Sequence, residues 1–258
     1  MRYRNRILAA LPAPDRERLR PVLEPVDLEF REVLVDPHRP IGHVWFPEEG
    51  VVSILGVMED GAAVETATVG NEGMAGIPVF LGAESMAAQA FVQVPGRGYR
   101  MTAAALREEV RRGGALFELL GRYTQALFTL TGQTSACNRL HPVDQRCARW
   151  LLMTHDRVEG DTFELTHLFL SQMLGVRRAT VTEVAGELQA RGLIEYARGT
   201  VTVVDRAGLE AASCECYQVV ASEFARLLGG PRVPSPLEGV AVSEDGKSTA
   251  REDAPREG

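Results

Sequence analysis

The segment from Glu164 to Asp205 constrains the fold more than any other part of the chain, because residue type, spacing and order agree there. Two stretches with helical apolar spacing meet at Gly175, and the small residue Ser171 precedes it. Helices that cross steeply need a small residue at their contact and a glycine in the turn. We expect the first helix to run from a Thr166 N-cap to Leu174. The inward positions of the two helices are Leu170, Leu174, Val176, Val181 and Val184.

The second helix should start near Val176 and end at Arg191-Gly192, where a glycine follows a basic last turn. Its outward face carries Arg177, Arg178, Ala179, Thr182 and Glu183, with Thr180 at the edge. Such side chains can contact base edges and phosphates in a major groove. The period-2 segments Ile194-Glu195-Tyr196 and Val201-Thr202-Val203, joined by a turn at Ala197-Arg198-Gly199, predict a two-stranded wing. The segment is therefore predicted to be a winged helix-turn-helix, although a glycine between amphipathic helices also occurs in other helical proteins.

Composition limits the class of protein. The chain has 258 residues, 45% of them hydrophobic, and a net charge of −7, so any DNA affinity must come from a local site. We find neither an apolar run long enough to span a membrane nor a signal-peptide pattern, and the four cysteines form no CxxC pair. These features favour a cytoplasmic protein with reduced thiols and no membrane partner.

Short strands are predicted from about Val26 to Arg100. Alternating apolar residues and a turn at Asp60-Gly61 favour a small antiparallel, jelly-roll-like β-roll, which makes the fold class α+β. A glycine-rich corner, Val69 to Gly76, follows. Such a corner can bind phosphate through its backbone N–H groups, but more often it is a tight turn.

A long helix should connect the two parts. Its apolar residues are spaced 4, 3, 4, 3, 4, 3 and form a heptad seam: Leu116, Leu120, Tyr123, Leu127, Leu130, Thr134 and Cys137. Because Leu119, Ala126 and Phe128 supply a second apolar face, we expect the seam to meet the same helix of a second subunit. The predicted units are N-terminal helices and β-roll (1–112), dimerisation helix (113–140), winged helix-turn-helix (141–228) and a disordered tail rich in Pro, Gly, Ser and charge (229–258).

This order of parts resembles the Crp/Fnr family of bacterial transcription regulators over residues 15–228. The resemblance is carried by LTHLFLSQMLGVRRATVTEV, by LHPVDQRCARWLLM before it, and by VGNEGMAG in the corner. It implies a homodimer on a palindromic double-stranded DNA operator, with Arg178 contacting bases and Thr180 contacting phosphate. Ala179 and Glu183 depart from the family's usual residues, so the operator should differ from the best-known ones.

The resemblance also implies an effector site at Gly70, Glu72 and Gly73. Cyclic-nucleotide binders in the family add an Arg-Ser or Arg-Thr pair, but this chain has Ala88-Gln89 there and no basic residue between Gly82 and Gln93. A buried phosphate would be uncompensated, so we expect no tight cyclic AMP binding. An N-terminal cysteine cluster, which the iron–sulfur branch uses, is missing, so a [4Fe–4S] sensor is not expected. The effector stays unidentified, and we predict no cofactor.

Two residue clusters leave alternatives open. Cys137 and His141 have i, i+4 spacing and could share a metal, but a seam residue beside a helix-ending histidine is the commoner case, and we predict no metal site. The thiols of Cys214 and Cys216 look too awkwardly placed for one ion, while a redox-sensing thiol there stays open. The segment Ala241–Ser248 fits a loose phosphate-loop pattern without the strand and helix that such a loop needs.

We therefore expect a sequence-specific DNA-binding transcription regulator and not an enzyme. Arg177, Arg178, Thr182 and Glu183 should face base edges, while Thr180 and Arg198 should contact the backbone. RNA polymerase is left open as a further partner. The alternative is a small-molecule or redox sensor that acts through protein–protein contacts.

Overall fold

The computed structural model describes residues 3–229, 233–238, 240–242 and 248–250. The chain begins with two short helices, α1 (Arg6–Ala10) and α2 (Ala13–Leu19), followed by a 3-10 turn. Asn5 caps α1 by accepting a hydrogen bond from the Leu8 N–H. Its buried amide also donates to the carbonyls of Pro47 and Gly73, which fastens the first helix to the β-roll.

Antiparallel strands form the β-roll, as predicted. They are β1 (Glu24–Leu28), β2 (Val33–Val35), β3 (His43–Pro47), β4 (Val51–Val57), β5 (Ala63–Val69), β6 (Gln89–Val94) and β7 (Gly96–Thr102). Their order is β1-β7-β3 in one sheet and β2-β6-β4-β5 in the other. The sequence analysis missed β2 and β3, because β2 is only three residues long and β3 is almost continuously buried, so neither shows alternation.

Helix α3 (Ala103–Arg112) begins at a Thr102 N-cap and ends at two glycines with positive φ, Gly113 and Gly114. Helix α4 (Ala115–Leu140) then runs for 26 residues, about 39 Å. Helix α5 (Val143–His155) follows α4 after a two-residue break and is joined to it by a hydrogen bond from Arg149 to Thr134, while α9 (Cys216–Leu228) packs along α4.

The predicted role of the α4 seam is wrong. Six of its seven residues are buried within the chain itself, where they face α9 and the β-roll, and Thr134 is half-buried. The row of α4 that faces outward consists of residues that follow the seam residues by about one position, so it is rotated by about 100° around the helix axis relative to the seam. This row combines two exposed phenylalanines with small and polar residues: Phe117, Gly121, Thr124, Phe128, Thr131, Ser135 and Asn138. Phe128, which was expected to pack on its own domain, is 67% exposed.

The C-terminal half contains the predicted helix-turn-helix. Its elements are β8 (Thr162–Glu164), α6 (His167–Leu174), α7 (Arg178–Ala190), β9 (Ile194–Ala197), β10 (Thr200–Val203) and α8 (Arg206–Ala212). The wing has three strands in the order β8-β10-β9, because the short strand β8 pairs with β10. Residues 213–215 separate α8 from α9, where the sequence pattern would also allow one continuous helix.

The two halves share one hydrophobic core. Phe169 of α6 contacts Phe91 of β6 and Phe30, with ring centroids 5.9 and 6.4 Å apart. Helix α6 also packs on β5. The helix-turn-helix is therefore seated on one face of the β-roll.

The predicted tail lies largely outside the described residues. Its described part includes a pair of short antiparallel strands, β11 (Val240–Val242) and β12 (Ser248–Ala250). Most of the phosphate-loop-like segment 241–248 falls between them and is likewise outside the description. Among the described residues, no helix is both long and apolar enough to cross a membrane.

Candidate nucleic-acid interface

Local capping fixes the geometry of the helix pair α6–α7. The Thr166 hydroxyl accepts a hydrogen bond from the Phe169 N–H at the start of α6. Gly175 adopts a left-handed conformation, with φ 63°, and ends the helix. The buried Arg146 of α5 donates to the carbonyl of Leu174, which satisfies one of the free C-terminal carbonyls of α6. The turn therefore sets the start of α7 relative to α5 and α6.

The two faces of α7 divide as predicted. Its inward face is buried and consists of Val181, Val184, Ala185 and Leu188. The residues predicted to contact DNA lie at its N-terminal end, where Arg177 is the N-cap. Arg177, Arg178, Thr182 and Glu183 are exposed and Thr180 is half-buried. Within the described part of the chain, neither arginine has a carboxylate at salt-bridge distance, so both guanidinium groups are available to an external anion.

Thr182 differs from the arginines because its hydroxyl already has partners. Its Oγ1 donates to the carbonyl of Arg178, at 3.1 Å, and lies 3.0 Å from the His167 Nδ1. The His167 ring stacks on Tyr196 of β9, with centroids 4.3 Å apart. Burial and the neighbouring Arg178 lower the pKa of His167, which favours the neutral ring. Thr182 thus connects α7 to α6 and the wing besides facing outward.

The wing ends in a two-residue turn. Arg198 and Gly199 both have positive φ, 52° and 82°, as a type I′ hairpin requires. The hydroxyl of Tyr196 donates to the carbonyl of Leu165, which ties the wing to the start of α6. Arg198 is exposed at the tip of this hairpin, where a cation can reach a phosphate backbone.

The predicted effector corner is filled by the chain's own side chains. The guanidinium of Arg157, from the loop after α5, donates to the Glu72 Oε1 through Nε at 3.0 Å and Nη2 at 2.8 Å. Both side chains are more than 90% buried. Burial opposes ionisation of Glu72, but the charge of Arg157 outweighs it and holds the pKa of that carboxyl below its ordinary value.

Gly70 and Gly73 permit this arrangement. A Cβ at Gly70 would lie 2.5 Å from the Cδ of Arg157, and a Cβ at Gly73 would lie 2.4 Å from the ring of Tyr123 in α4. The two glycines therefore leave room for Arg157 and for Tyr123. All three residues predicted to bind an effector, Gly70, Glu72 and Gly73, are buried beneath these side chains.

A second polar contact between the halves surrounds Glu65 of β5. The indole N–H of Trp150, in α5, donates to the Glu65 Oε1 at 2.8 Å. The hydroxyl of Ser53 lies 2.6 Å from the Glu65 Oε2 and also contacts the Gln93 Oε1. The Gln93 amide in turn donates to Thr154 of α5 at 3.3 Å.

This network has room for a proton on Glu65. One serine hydroxyl supplies a single proton but has two acceptor oxygens beside it, so a proton on Glu65 would satisfy the second contact. Burial raises the pKa of Glu65 to about 7, although Ser53, Trp150 and the charges of Arg149 and Arg157 act in the opposite direction. The interface therefore contains a carboxyl that titrates near neutral pH.

Three thiols and one imidazole meet at the C-terminal end of α4. The ligand atoms of Cys137, His141, Cys214 and Cys216 all lie within 4.8 Å of one another. The prediction that Cys214 and Cys216 are too awkwardly placed for one ion is wrong, because the α8–α9 turn directs both thiols toward α4.

Sequence reasoning missed Arg157 and the convergence of these cysteines. Arg157 lies 85 residues from its partner Glu72, and Cys214 lies 77 residues from Cys137. No local spacing connects such pairs. Two features of the sequence could have pointed to these contacts. One is a glutamate in a glycine-rich corner with no basic residue near it in the sequence, and the other is a Cys-x-Cys pair with no further cysteine or histidine nearby.

Removing Arg157 should expose the cost of an unpaired buried charge. We expect Arg157→Met to lower the free energy of unfolding by about 3–5 kcal/mol, and Arg157→Met/Glu72→Gln to recover much of that loss. Urea unfolding followed by circular dichroism measures both. Arg100→Met, which breaks the exposed pair with Glu24, should cost less than about 1 kcal/mol. Equal losses for the single and double variants would contradict a compensated ion pair.

The Glu65 network predicts a pH dependence of stability. Because the folded state holds the proton more tightly than the unfolded chain, stability should fall as pH rises from about 4.5 to about 7 and then level off. The contribution is up to about 3 kcal/mol. Glu65→Gln should remove this slope, whereas Glu195→Gln, at an exposed carboxylate, should keep it. Unfolding curves at several pH values measure the free energy of unfolding of each protein. The same pH dependence in the parent and in Glu65→Gln would refute the role of Glu65.

Known proteins support the architecture that these contacts build. Residues 145–212 match the Crp-like helix-turn-helix domain family. No curated protein sequence matches the chain significantly.

Solved structures share the fold at low identity. A transcriptional regulator of the Crp/Fnr family from Eubacterium rectale superposes with a TM-score of 0.62 at 13% identity, covering 78% of this chain and 94% of that one. FixK2 from Bradyrhizobium japonicum gives 0.61 at 15% identity, covering 75% and 98%. The c-di-GMP-responsive regulator CLP of Xanthomonas campestris gives 0.59 at 17%, covering 74% and 99%. The chain thus has the fold of Crp/Fnr regulators and carries a Crp-like helix-turn-helix domain, the DNA-binding unit of a transcription regulator.

Proposed function

We propose that the protein is a homodimeric transcription regulator that binds a palindromic DNA operator through the N-terminal half of α7. The observation that carries this proposal is the pair of exposed arginines, Arg177 and Arg178, at the start of a helix whose other face is buried. A helix presented in this way can enter a major groove with its N-terminal residues against the base edges. The protein acts in the cytoplasm and has no catalytic role.

The residues of this surface have separate tasks. Arg177 and Arg178 contact base edges, and Glu183 accepts from an exposed base amino group. Thr182 faces the groove while its hydroxyl holds His167 in place. Thr180, at the edge of the face, and Arg198, at the tip of the wing, contact the sugar–phosphate backbone.

Dimerisation through α4 supports the same function. Phe128 of the outward row lies between two exposed glycines of the same helix, Gly121 within the row and Gly132 beside it, where an added Cβ would meet no other atom within 4 Å. Small residues beside an aromatic side chain allow two helices to approach closely. In such a dimer the two α7 helices enter successive major grooves, so the half-sites lie about 34 Å apart.

The effector is not a cyclic nucleotide bound in the manner of the family's cyclic-nucleotide binders. Glu72, which would hold the ribose, is already paired with Arg157. A ligand in that corner would have to displace a buried guanidinium and leave one charge uncompensated, at a cost of several kcal/mol.

The second candidate function is a small-molecule sensor that acts through protein–protein contacts. A cleft of about 440 Å³ beside the corner favours it. Apolar side chains such as Val220 and Phe224 line this cleft together with charged ones, among them Arg6 and the paired Arg157 and Glu72. A protein that ignores DNA at low salt and co-purifies with a partner protein would support this second function instead.

Removing the Arg178 side chain tests the interface. Genomic fragments selected by the purified protein at defined salt, without added ligand, should share a palindromic motif. Arg178→Ala should weaken binding to that motif by about 1–3 kcal/mol and relax one base position in each half-site. Titration of labelled motif DNA and its single-base variants measures both effects.

Arg191→Ala is the matched control, since Arg191 is exposed at the opposite end of α7, about 20 Å away along the helix. It should keep the parent's base preferences. If Arg178→Ala bound every sequence as the parent does, α7 would not be the recognition helix.

A charge on the outward row of α4 tests the dimer. We expect the parent to sediment at twice the chain mass of 28.2 kDa and Phe128→Asp to shift toward the single chain, because the new carboxylate would face its copy across the interface. Met58→Asp adds the same charge to another exposed apolar residue, at the β4–β5 turn, and should stay dimeric. Sedimentation equilibrium at several concentrations measures the association. An unchanged Phe128→Asp dimer would place the interface elsewhere.

A further inference from the structure

The thiols and imidazole at the end of α4 have the composition and spacing of a closed metal site. Cys137 lies in the last turn of α4 and His141 is its C-cap, while Cys214 lies in the turn between α8 and α9 and Cys216 is the first residue of α9. The Sγ atoms of Cys137 and Cys214 are 3.5 Å apart, and the Cys216 Sγ is 3.4 Å from the His141 Nδ1. A tetrahedral zinc ion, with Zn–S near 2.3 Å and Zn–N near 2.0–2.1 Å, separates its ligand atoms by about 3.5–3.8 Å.

The neighbouring side chains suit a bound metal. The Nε2 of His141 lies 3.2 Å from a carboxylate oxygen of Glu215, which leaves Nδ1 facing the thiols. Such a carboxylate fixes the orientation of a ligating imidazole. The Gln133 amide donates to the Cys216 Sγ at 3.1 Å, and N–H donors of this kind stabilise a thiolate.

The clustered cysteines differ from the remaining cysteine in the residues that they pack against. The thiols of Cys137, Cys214 and Cys216 form a small buried group apart from the main core. By contrast, Cys147 of α5 is buried among apolar side chains of the main core and is not part of the group. Three thiols packed together can share one cation when they are deprotonated to thiolates.

The geometry argues against two other uses of these residues. A disulfide needs its sulfurs about 2.05 Å apart, whereas the Cys137 and Cys214 sulfurs are 3.5 Å apart and both cysteines are free in this structure. An iron–sulfur cluster would place several iron and sulfide atoms between the ligands, and donor atoms within 4.8 Å of one another leave room for a single ion.

We propose that Cys137, His141, Cys214 and Cys216 bind one zinc ion in a closed, four-coordinate structural site. Three thiolates and one imidazole form a ligand set that zinc favours, with no position left for water or substrate. The ion joins the end of α4 to the start of α9, across 77 residues between Cys137 and Cys214. It therefore fastens the C-terminal helix along the α4 seam that this helix covers. The proposal does not depend on DNA binding.

Metal content and cobalt spectroscopy test it with the full-length, untagged protein. Protein purified under reducing conditions without chelators should contain about one zinc per chain by elemental analysis. After chelation, one equivalent of cobalt(II) should produce the visible bands of tetrahedral coordination together with thiolate-to-cobalt charge transfer. Zinc should displace the cobalt and abolish both signals.

Variants identify the ligands. Cys216→Ser and His141→Ala should lower zinc affinity more than tenfold, measured by competition with a chromogenic chelator. Cys147→Ala removes a cysteine outside the cluster and should still bind one zinc. His141 is 19% exposed, so its replacement should disturb packing least and keep the test valid if Cys216→Ser fails to fold.

Three results would overturn the proposal. The first is reduced parent protein that contains no metal and gives no cobalt spectrum. Another is iron with acid-labile sulfide, which would indicate a cluster. The last is a Cys137–Cys214 disulfide whose reduction yields no metal binding, which would indicate a redox thiol pair.

Discussion

The buried ion pair between Arg157 and Glu72 is the contact on which the arrangement of the two halves depends. Each charge alone would cost several kcal/mol to bury, and together they are compensated by two hydrogen bonds at 2.8 and 3.0 Å. Because Arg157 belongs to the C-terminal half and Glu72 to the β-roll, the compensation exists only when the halves are in contact. The pair therefore favours this one relative position over others that would bury similar apolar area.

The same contact explains why the corner of the β-roll is filled. Gly70 has no side chain, so Arg157 can lie against its backbone and reach Glu72. The cation that the corner lacks in its own sequence is supplied from the other half of the chain. Any event that moved Arg157 would also disturb Trp150 and Thr154, since all three follow from the path of α5 and its C-terminal loop. A displacement at the corner would thus be transmitted to α5, the helix that leads into the helix-turn-helix.

The helix-turn-helix was predictable because its capping and turn residues act locally. The packing of α4 and the contacts between distant segments were not predictable, because no local residue pattern encodes them. Thr166, Gly175 and the Arg198-Gly199 turn act within a few residues, so sequence alone gave their conformations. The partner of the α4 seam was not predictable, because an apolar row can pack either on its own chain or on a second subunit, and only the position of α9 decides between the two. Contacts such as Glu72–Arg157 join residues that are far apart in the sequence. They form only in the assembled fold, so no spacing pattern in the sequence indicates them.

Helix α4 contacts both the corner and α9 and also presents the surface proposed for dimerisation. One face packs on its own chain, and Tyr123 reaches from it to Gly73 in the corner, while Phe224 of α9 lies against the same ring with centroids 6.4 Å apart. The outward row carries Phe128 away from this packing. A partner helix on that row would lie on the side of α4 that faces away from Tyr123 and the corner. A shift of α4 would transmit its effect to the corner, and a metal ion joining the end of α4 to α9 would make the two helices move together.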